Sequence, residues 1–391
     1  MRKNVLIVAV MILLALFLSS CQGGEPAAPS SGQPSLTPEV TPVPPTATPS
    51  PTVIPPTNTS TPSETPPPPT PTEVILDGIV FWSNSSGNWK IYWINEDGSG
   101  IKKLTDNAYY NYDPPSWSPD GRRIAFVGEV EDTHFLYVMN ADGSEATGLA
   151  ENISYFENPR WSPDGSRLAF VSEGEDIMIV NADGSGTINL TNSPESDWSP
   201  SWSPEGENIV FQSMVGKRWE IFTINVDGTN LVNLIEMAEL STEFTGWDSP
   251  AWSRPSWSPD GSKISFHNGI GANGEFYSFS PDGTGLVNLS ADPADDSYPI
   301  WSPDGSTITF YSDRDGSDDI YVINADGSGL VKLTNHPMMD FGPAWSRDGT
   351  KIAYASEDES GFSIYIINVD GTDERQLTTL PGKNTYPAWR P

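Results

Sequence analysis

The stretch Trp301-Ser302-Pro303-Asp304-Gly305-Ser306-Thr307-Ile308-Thr309-Phe310-Tyr311-Ser312 decides the fold. Its first five residues return at Trp117, Trp161 and Trp257. Trp202 opens the variant Trp-Ser-Pro-Glu-Gly, and Trp345 opens Trp-Ser-Arg-Asp-Gly. A seventh tryptophan, Trp389, closes Tyr386-Pro387-Ala388-Trp389. The steps between the seven are 44, 41, 55, 44, 44 and 44 residues, a period that marks a repeat architecture. A unit of this size cannot bury both its faces alone, so neighbours must stack.

Working outward from Trp301, Pro303-Asp304-Gly305 reads as a turn, because proline presets φ and glycine accepts φ > 0. Thr307–Ser312 alternates with period two and reads as a strand. A variable loop, Asp313–Asp318, leads to Ile320-Tyr321-Val322-Ile323-Asn324, a third strand rich in β-branched and aromatic residues. Asn324-Ala325-Asp326-Gly327 turns the chain again, and residues 330–334 make a last strand. Four antiparallel strands in roughly 40 residues form one propeller blade. The expected fold is all-β, a seven-bladed β-propeller with little helix. The first unit starts at Ile79 without a leading tryptophan strand, and Trp389 lacks the strands that should follow it. The C-terminal strand is therefore expected to join the first blade and close the ring, removing exposed sheet edges.

These repeats resemble the TolB-type, WD-like propellers of bacterial envelopes and the propeller half of prolyl oligopeptidases. The resemblance rests on Trp-Ser-Pro-Asp-Gly, the Ile-x-Phe second strand, the Ile-Tyr-x-x-Asn-x-Asp-Gly third strand and the Leu-Thr ending, over about residues 76–391. It implies the fold and leaves function to the site. TolB-type proteins carry six blades and an N-terminal α/β domain, whereas seven units are counted here behind a different N-terminus.

That N-terminus begins with Arg2 and Lys3, followed by an unbroken apolar run of 14 residues, Val5–Leu18. The run is short for a spanning helix, which needs about 20 residues, and fits an export signal. Leu18-Ser19-Ser20-Cys21 resembles the bacterial lipobox, which implies cleavage before Cys21 and attachment of lipid to its sulfur. Cys21 is the single cysteine of the 391 residues, so no intrachain disulfide forms. The alternative is an ordinary secreted protein with a stray cysteine. Residues 22–73 are rich in proline, threonine and serine and have almost nothing to bury. In polyproline form, fifty such residues span on the order of 100 Å, enough to lift a head clear of its anchor. A passive tail is the other reading. The expected organisation is a signal at 1–20, the lipidated cysteine and linker at 21–73, and the propeller at 74–391.

The formal charge is −32. The linker holds four acids and no base, so the acidity belongs to the repeats. Such a head repels phosphate backbones, which argues against nucleic acid, and repels anionic membrane surfaces. Membrane contact is therefore expected through the lipid alone, and the head is expected to be monomeric.

Strand order puts the Pro-Asp-Gly and Asn-x-Asp-Gly turns on one edge and the variable loops on the other. The variable rim carries Tyr109, Tyr110, Tyr112, Tyr155, Phe156 and Trp198, then Tyr298, Phe341 and Tyr386, each shortly before a column tryptophan. The long step to Trp257 holds extra chain around Glu236–Pro255, with Phe244, Trp247 and Trp252. Acids such as Asp113, Glu157, Asp197, Asp248, Asp296 and Asp340 stand beside these aromatics. Aromatic faces with neighbouring carboxylates suit sugars, cations or peptides. The structural alternative makes Tyr298 and Tyr386 plugs of the rim. Insertions in repeats often map to the binding face, although a tolerated surface insertion reads the same way.

Catalysis is not expected. There is no Gly-x-Ser-x-Gly elbow, and His134, His267 and His336 fall in different units. No cofactor is expected. Asp313, Asp315 and Asp318 cluster oxygen ligands as a weak calcium alternative, but their spacing is not that of an EF-hand loop. The expected function is a lipid-anchored envelope propeller that binds a protein or glycan through its rim. The alternatives are an envelope hydrolase acting on polysaccharide or peptide, and an architectural subunit of an envelope complex.

Overall fold

A computed structural model describes residues 77–106, 114–154, 157–216, 218–237, 254–270, 273–359 and 361–391, all within the compact unit Thr72–Pro391. Of the expected site residues, Cys21, Tyr109, Tyr110, Tyr112, Tyr155, Phe156, Phe244 and Trp247 lie outside the described residues, as do Asp113, Asp248 and Trp252.

The repeat built on Trp301 is a four-stranded antiparallel sheet of Asp296–Trp301, Thr307–Ser312, Asp319–Asn324 and Val331–Lys332, in that spatial order. Trp301 pairs with Ile308, and Ile308 with Ile323. Four further sheets of the same order start from Ser116–Trp117, Arg160–Trp161, Asp197–Trp202 and Ser256–Trp257. The helix Leu234–Met237 is one turn long. The inner strand begins well before the tryptophan, and the outer strand is shorter than the expected 330–334. The inner strand reaches back to Asp296, because a bulge carries it past Pro299. The outer strand shrinks to two residues, a length that blunts an exposed edge.

The remaining strands join in one eight-stranded sheet. Gly382–Trp389 pairs antiparallel with Gly78–Ser83, setting Trp389 opposite Ile79 and Ala388 opposite Val80. Its first two residues also pair, in parallel, with Gly361 and Phe362. A side chain on Gly361 would meet the Gly382 carbonyl oxygen at 2.4 Å, so this join requires glycine.

Phe310 stacks on Tyr321 across the second and third strands, with centroids 5.7 Å apart. The same cross-strand pair recurs as Phe81–Tyr92, Phe126–Tyr137, Phe211–Phe222, Phe266–Tyr277 and Tyr354–Tyr365. Phe310 is fully buried, a contribution of about 1.5–3 kcal/mol. In Gly78–Ser83 every residue is buried. Ile79 and Phe81 pack with Ala353, Ala355 and Ile366, while Val80 and Trp82 pack with Trp117, Ile124 and Phe126. A strand apolar on both faces is thus explained by strands packed on each side, Lys351–Asp358 and Gly361–Asn368 on one and Ser116–Trp117 and Arg123–Val130 on the other.

The column tryptophans tie one repeat to the last. Trp161, Trp202 and Trp345 donate their indole N–H to the main-chain carbonyls of Ser116, Arg160 and Ile300, each the residue just before the preceding column tryptophan. Trp117 donates to Ala388 in the same way, linking the second repeat to the C-terminal strand. Arg123 and Arg167 lie over Trp161 and Trp202 at 4.7 and 5.0 Å. The most conspicuous residues of the sequence are therefore scaffold.

The turn edge is equally uniform. Ser302 Oγ donates to Asp304 Oδ1 at 2.6 Å and accepts from the Thr307 N–H. Ser118, Ser162 and Ser258 make the same 2.6 Å bond to Asp120, Asp164 and Asp260. The glycines of these turns all have φ between 65° and 72°. Hydrogen bonds from serine and backbone hold the turn carboxyls below their usual range, at about 2 for Asp164 and, through Ser346 and Thr350, for Asp348.

Candidate functional site

Three residues before the column tryptophan, the inner strands break step. Ser199, Arg254, Tyr298, Gly342 and Tyr386 all have left-handed backbones, with φ of 56°, 27°, 61°, 62° and 50°. Pairing shifts register there, between Trp198 and Ser201, Ser297 and Ile300, and Phe341 and Ala344, as β-bulges do. A bulky side chain with φ > 0 is strained, by roughly 1 kcal/mol or more. Glycine is the natural occupant, as at Gly342. Two tyrosines and an arginine nevertheless hold the position in other repeats.

Arg254, Tyr298, Gly342 and Tyr386 border a shared cavity, whereas Ser199 is buried against Glu157. One lobe, of about 330 Å³, is bordered by Arg254, Tyr298 and Tyr386, and by Arg160, Ser201 and Ser256 from neighbouring inner strands. Tyr311 and His267 complete it from second strands. An adjoining lobe of about 300 Å³ shares Arg160, Tyr298 and Tyr386 and adds Ser116, Ala344 and Ala388. The residue before every column tryptophan thus borders one lobe or both, and each is half-buried while most column tryptophans behind them are buried.

Inside, the Tyr298 ring lies 6.5 Å from Tyr386 and 6.4 Å from Tyr311. Phe341 meets Tyr386 edge-on at 5.5 Å. The Arg254 guanidinium sits 5.0 Å from the Tyr298 centroid, a cation–π contact. Burial pushes the Tyr311 phenol well above its ordinary range, with Tyr386, Asp318, Tyr298 and Asp295 adding to the shift. The arrangement offers aromatic faces, neutral hydroxyls and two guanidinium groups.

The structure therefore brings together Tyr298, Tyr386 and Phe341 from the sequence expectation. Trp198 is elsewhere: it is 6 % exposed and packs in the apolar core with Trp202 and Trp219. The acids expected beside the aromatics also need correcting. Asp197, Asp296 and Asp340 lie five residues before their tryptophans and are buried. Both Asp197 carboxylate oxygens are buried without a hydrogen-bond partner among the described residues, and Ser213 and Thr191 only moderate the effect of that burial. Asp296 pairs with Arg314 at 2.7 Å, and Asp340 with His336 at 3.0 Å. Burial raises the pKa of all three carboxyls. Asn384 occupies the same place in the last strand, donating to the Phe362 and Leu380 carbonyls. Glu157 is buried too, accepting from Ser199 Oγ at 2.6 Å. These groups latch strands and do not face a ligand.

The expected calcium ligands are engaged otherwise. Asp315 accepts from the Tyr321 hydroxyl and the Lys332 ammonium, which also bridges to Asp319 at 2.8 Å. Asp313 accepts from the Asp295 N–H, and the Asp318 carbonyl from the Asp340 N–H. Among the described residues no group of three or more His, Cys, Asp or Glu is placed to hold a metal. No helix among them is long and apolar enough to cross a membrane.

Sequence reasoning missed Arg160, Arg254, His267 and Tyr311. The signal for the first two is positional. Arg160 stands where other repeats have serine, alanine or isoleucine, and Arg254 is in register with Tyr298 and Tyr386.

No curated protein matches the chain. Among solved structures it is similar to TolB from Acinetobacter baumannii, with TM-score 0.54 and 16% identity over 81% of this chain and 67% of that one. It is similar to oligogalacturonate lyase from Vibrio parahaemolyticus, with TM-score 0.57 and 14% identity over 77% and 85%. Puromycin hydrolase gives TM-score 0.58 and 15% identity over 77% of this chain, which spans 52% of that protein. At such identities the likeness is one of fold. The family model for the TolB beta propeller domain matches residues 77–254 and 249–336, and the chain belongs to that family.

Proposed function

We infer that this chain is an exported β-propeller, anchored to the cell envelope by lipid on Cys21, that binds a protein or glycan partner. In this reading residues 1–20 are the signal, 21–73 the anchor and spacer, and 74–391 the head. The head is a ring of seven blades, closed where Gly382–Trp389 meets Gly78–Ser83. Its binding face is the variable rim, which carries Tyr109, Tyr110, Tyr112, Tyr155, Phe156, Phe244 and Trp247. Tyr298, Phe341 and Tyr386 mark the neck, the cavity bordered by the inner strands. The observation that carries the reading is the neck itself. At the same place in their repeats, Arg254, Tyr298 and Tyr386 carry left-handed backbones and border a common cavity.

Two measurements test it. Cross-linking and capture from intact cells should return a discrete envelope partner, and Cys21→Ala should release the chain from the membrane fraction. Recovery of no partner, together with unchanged fractionation, would refute the proposal.

An enzyme at the same cavity is the second reading. It is favoured by the likeness to oligogalacturonate lyase, which extends over most of that chain. Turnover of a captured glycan or peptide, lost on His267→Ala, would select it.

A further inference from the structure

We propose that the neck cavity is a binding site for an acidic sugar, a uronate ring presented by a glycan. The proposal rests on the reading of the head as a binding module and names its ligand.

Charge supplies the first argument. Acids outnumber bases 52 to 20 in this chain. Yet Arg160, Arg254 and His267 border the larger lobe, and no described Asp or Glu borders either lobe. Of the acids nearest in sequence, Glu157, Asp197 and Asp296 are buried, and half-buried Asp295 accepts from Ser297 Oγ. Among the described residues the Arg160 guanidinium has neither an ion pair nor a hydrogen bond; only its main-chain carbonyl is engaged, by Trp202. A carboxylate is the planar anion that a guanidinium fork fits.

The neutral groups supply the second. Asn158 borders the adjoining lobe, is 5 % exposed, and its Oδ1 has no hydrogen-bond partner among the described residues. A buried amide oxygen left in this state calls for a donor from a ligand. Ser201, Ser256 and Ser297 add hydroxyls to the wall, and Tyr298, Tyr311 and Tyr386 add flat faces. Ring hydroxyls match the first set, and the C–H face of a pyranose matches the second. A peptide carboxylate would use the arginines and leave this hydroxyl-recognising wall idle. The volume, about 330 Å³, lies at the lower end for ligand cavities and suits one ring with its carboxylate.

Calorimetric titration of the purified full chain tests the proposal, with glucuronate, galacturonate, glucose and an acetylated dipeptide acid as probes. Expected is saturable binding of at least one uronate, with glucose and the dipeptide at least tenfold weaker. Arg160→Gln should weaken uronate binding tenfold or more at an unchanged melting temperature. Rising salt should weaken uronate binding to the unmodified chain, so the test survives a variant that fails to fold. Equal affinity for glucose or for the dipeptide overturns the proposal, as does uronate binding indifferent to both salt and Arg160→Gln. If no uronate binds while a cellular partner is still captured, the sugar site falls and the binding module stands. Failure of both discards both.

Discussion

The two ends of one inner strand behave oppositely. At the Trp-Ser-Pro-Asp-Gly end, backbone and side chains repeat together, and serine meets aspartate at 2.6 Å in repeat after repeat. Three residues before the tryptophan, a backbone conformation returns in five of the seven repeats and the side chain does not. The left-handed bulge returns, but its side chain is serine, arginine, tyrosine, glycine or tyrosine. A turn that satisfies its own polar groups has one good solution, and its residues are constrained. A bulge that aims a side chain into a cavity constrains only the backbone. The chain repeats what holds the sheets and varies what faces the cavity.

The largest expected effect concerns the strand that carries both ends and links the chain's first and last repeats. Deleting residues 385–391 removes the partner of Ile79 and the acceptor for Trp117. The melting temperature should fall by more than about 10 °C, since several kcal/mol of pairing and burial are lost. Equal melting of the two chains would show that this strand does not latch the repeats.

Next come the buried carboxylates between the two ends. Asp296→Asn leaves the Arg314 guanidinium buried without its counter-charge and should cost about 3 kcal/mol. Asp197 is buried with no ion pair or side-chain hydrogen bond among the described residues, and Asn384 already fills the equivalent place. Asp197→Asn should therefore be neutral or stabilising at pH 7. The sign follows from the shift. A folded pKa raised by burial costs stability above that pKa, and the cost is relieved as pH falls through it towards the ordinary value of 3.8. The parent should gain stability on mild acidification, and the variant should gain less. The turn carboxyls act oppositely, because their depressed pKa values, about 2 at Asp164 and Asp348, withdraw stability as pH drops from about 4 towards 2. A denaturant series across pH 2–8 with no acid-side rise in the parent would contradict this account.

Smaller still is the turn. Ser302→Ala removes the hydroxyl that bridges Asp304 and the Thr307 N–H and should cost about 1 kcal/mol. At the neck, Tyr298→Gly trades ring contacts for relief of a left-handed backbone and should change stability by less than about 1 kcal/mol. A loss of several kcal/mol on Tyr298→Gly would make the tyrosine a structural plug and erase the contrast between the two ends.

The four-stranded unit was legible because its strands alternate with period two and its turns carry Gly, Pro, Asn and Asp where φ demands them. The pairing of Trp389 beside Ile79 was legible because each end of the array lacked what the other had. The aromatic neck was half legible. Tyr298 and Tyr386 stand three residues before their tryptophans, and that offset places them at the cavity. Trp198 and Phe341 stand four residues before theirs, one step further along the strand: Trp198 enters the core and Phe341 packs edge-on against Tyr386 without bordering the cavity. Asp197 and Asp340 misled for a related reason: a carboxylate next to an aromatic in sequence points to the opposite face of the strand, while Asp296 and Tyr298, two residues apart, are set apart by the bulge.

Period, turn chemistry and strand alternation are local properties, so linear order carried the fold, the repeat and the scaffold role of the Asp-Gly turns. Which guanidinium groups share a cavity is not local. Arg160 and Arg254 are separated by more than two repeats of chain, and they meet because inner strands of separate sheets border one space. The chain order supplied the cationic and aromatic side chains, and only packing of sheet against sheet decided which of them share a wall and which acids are turned away from it.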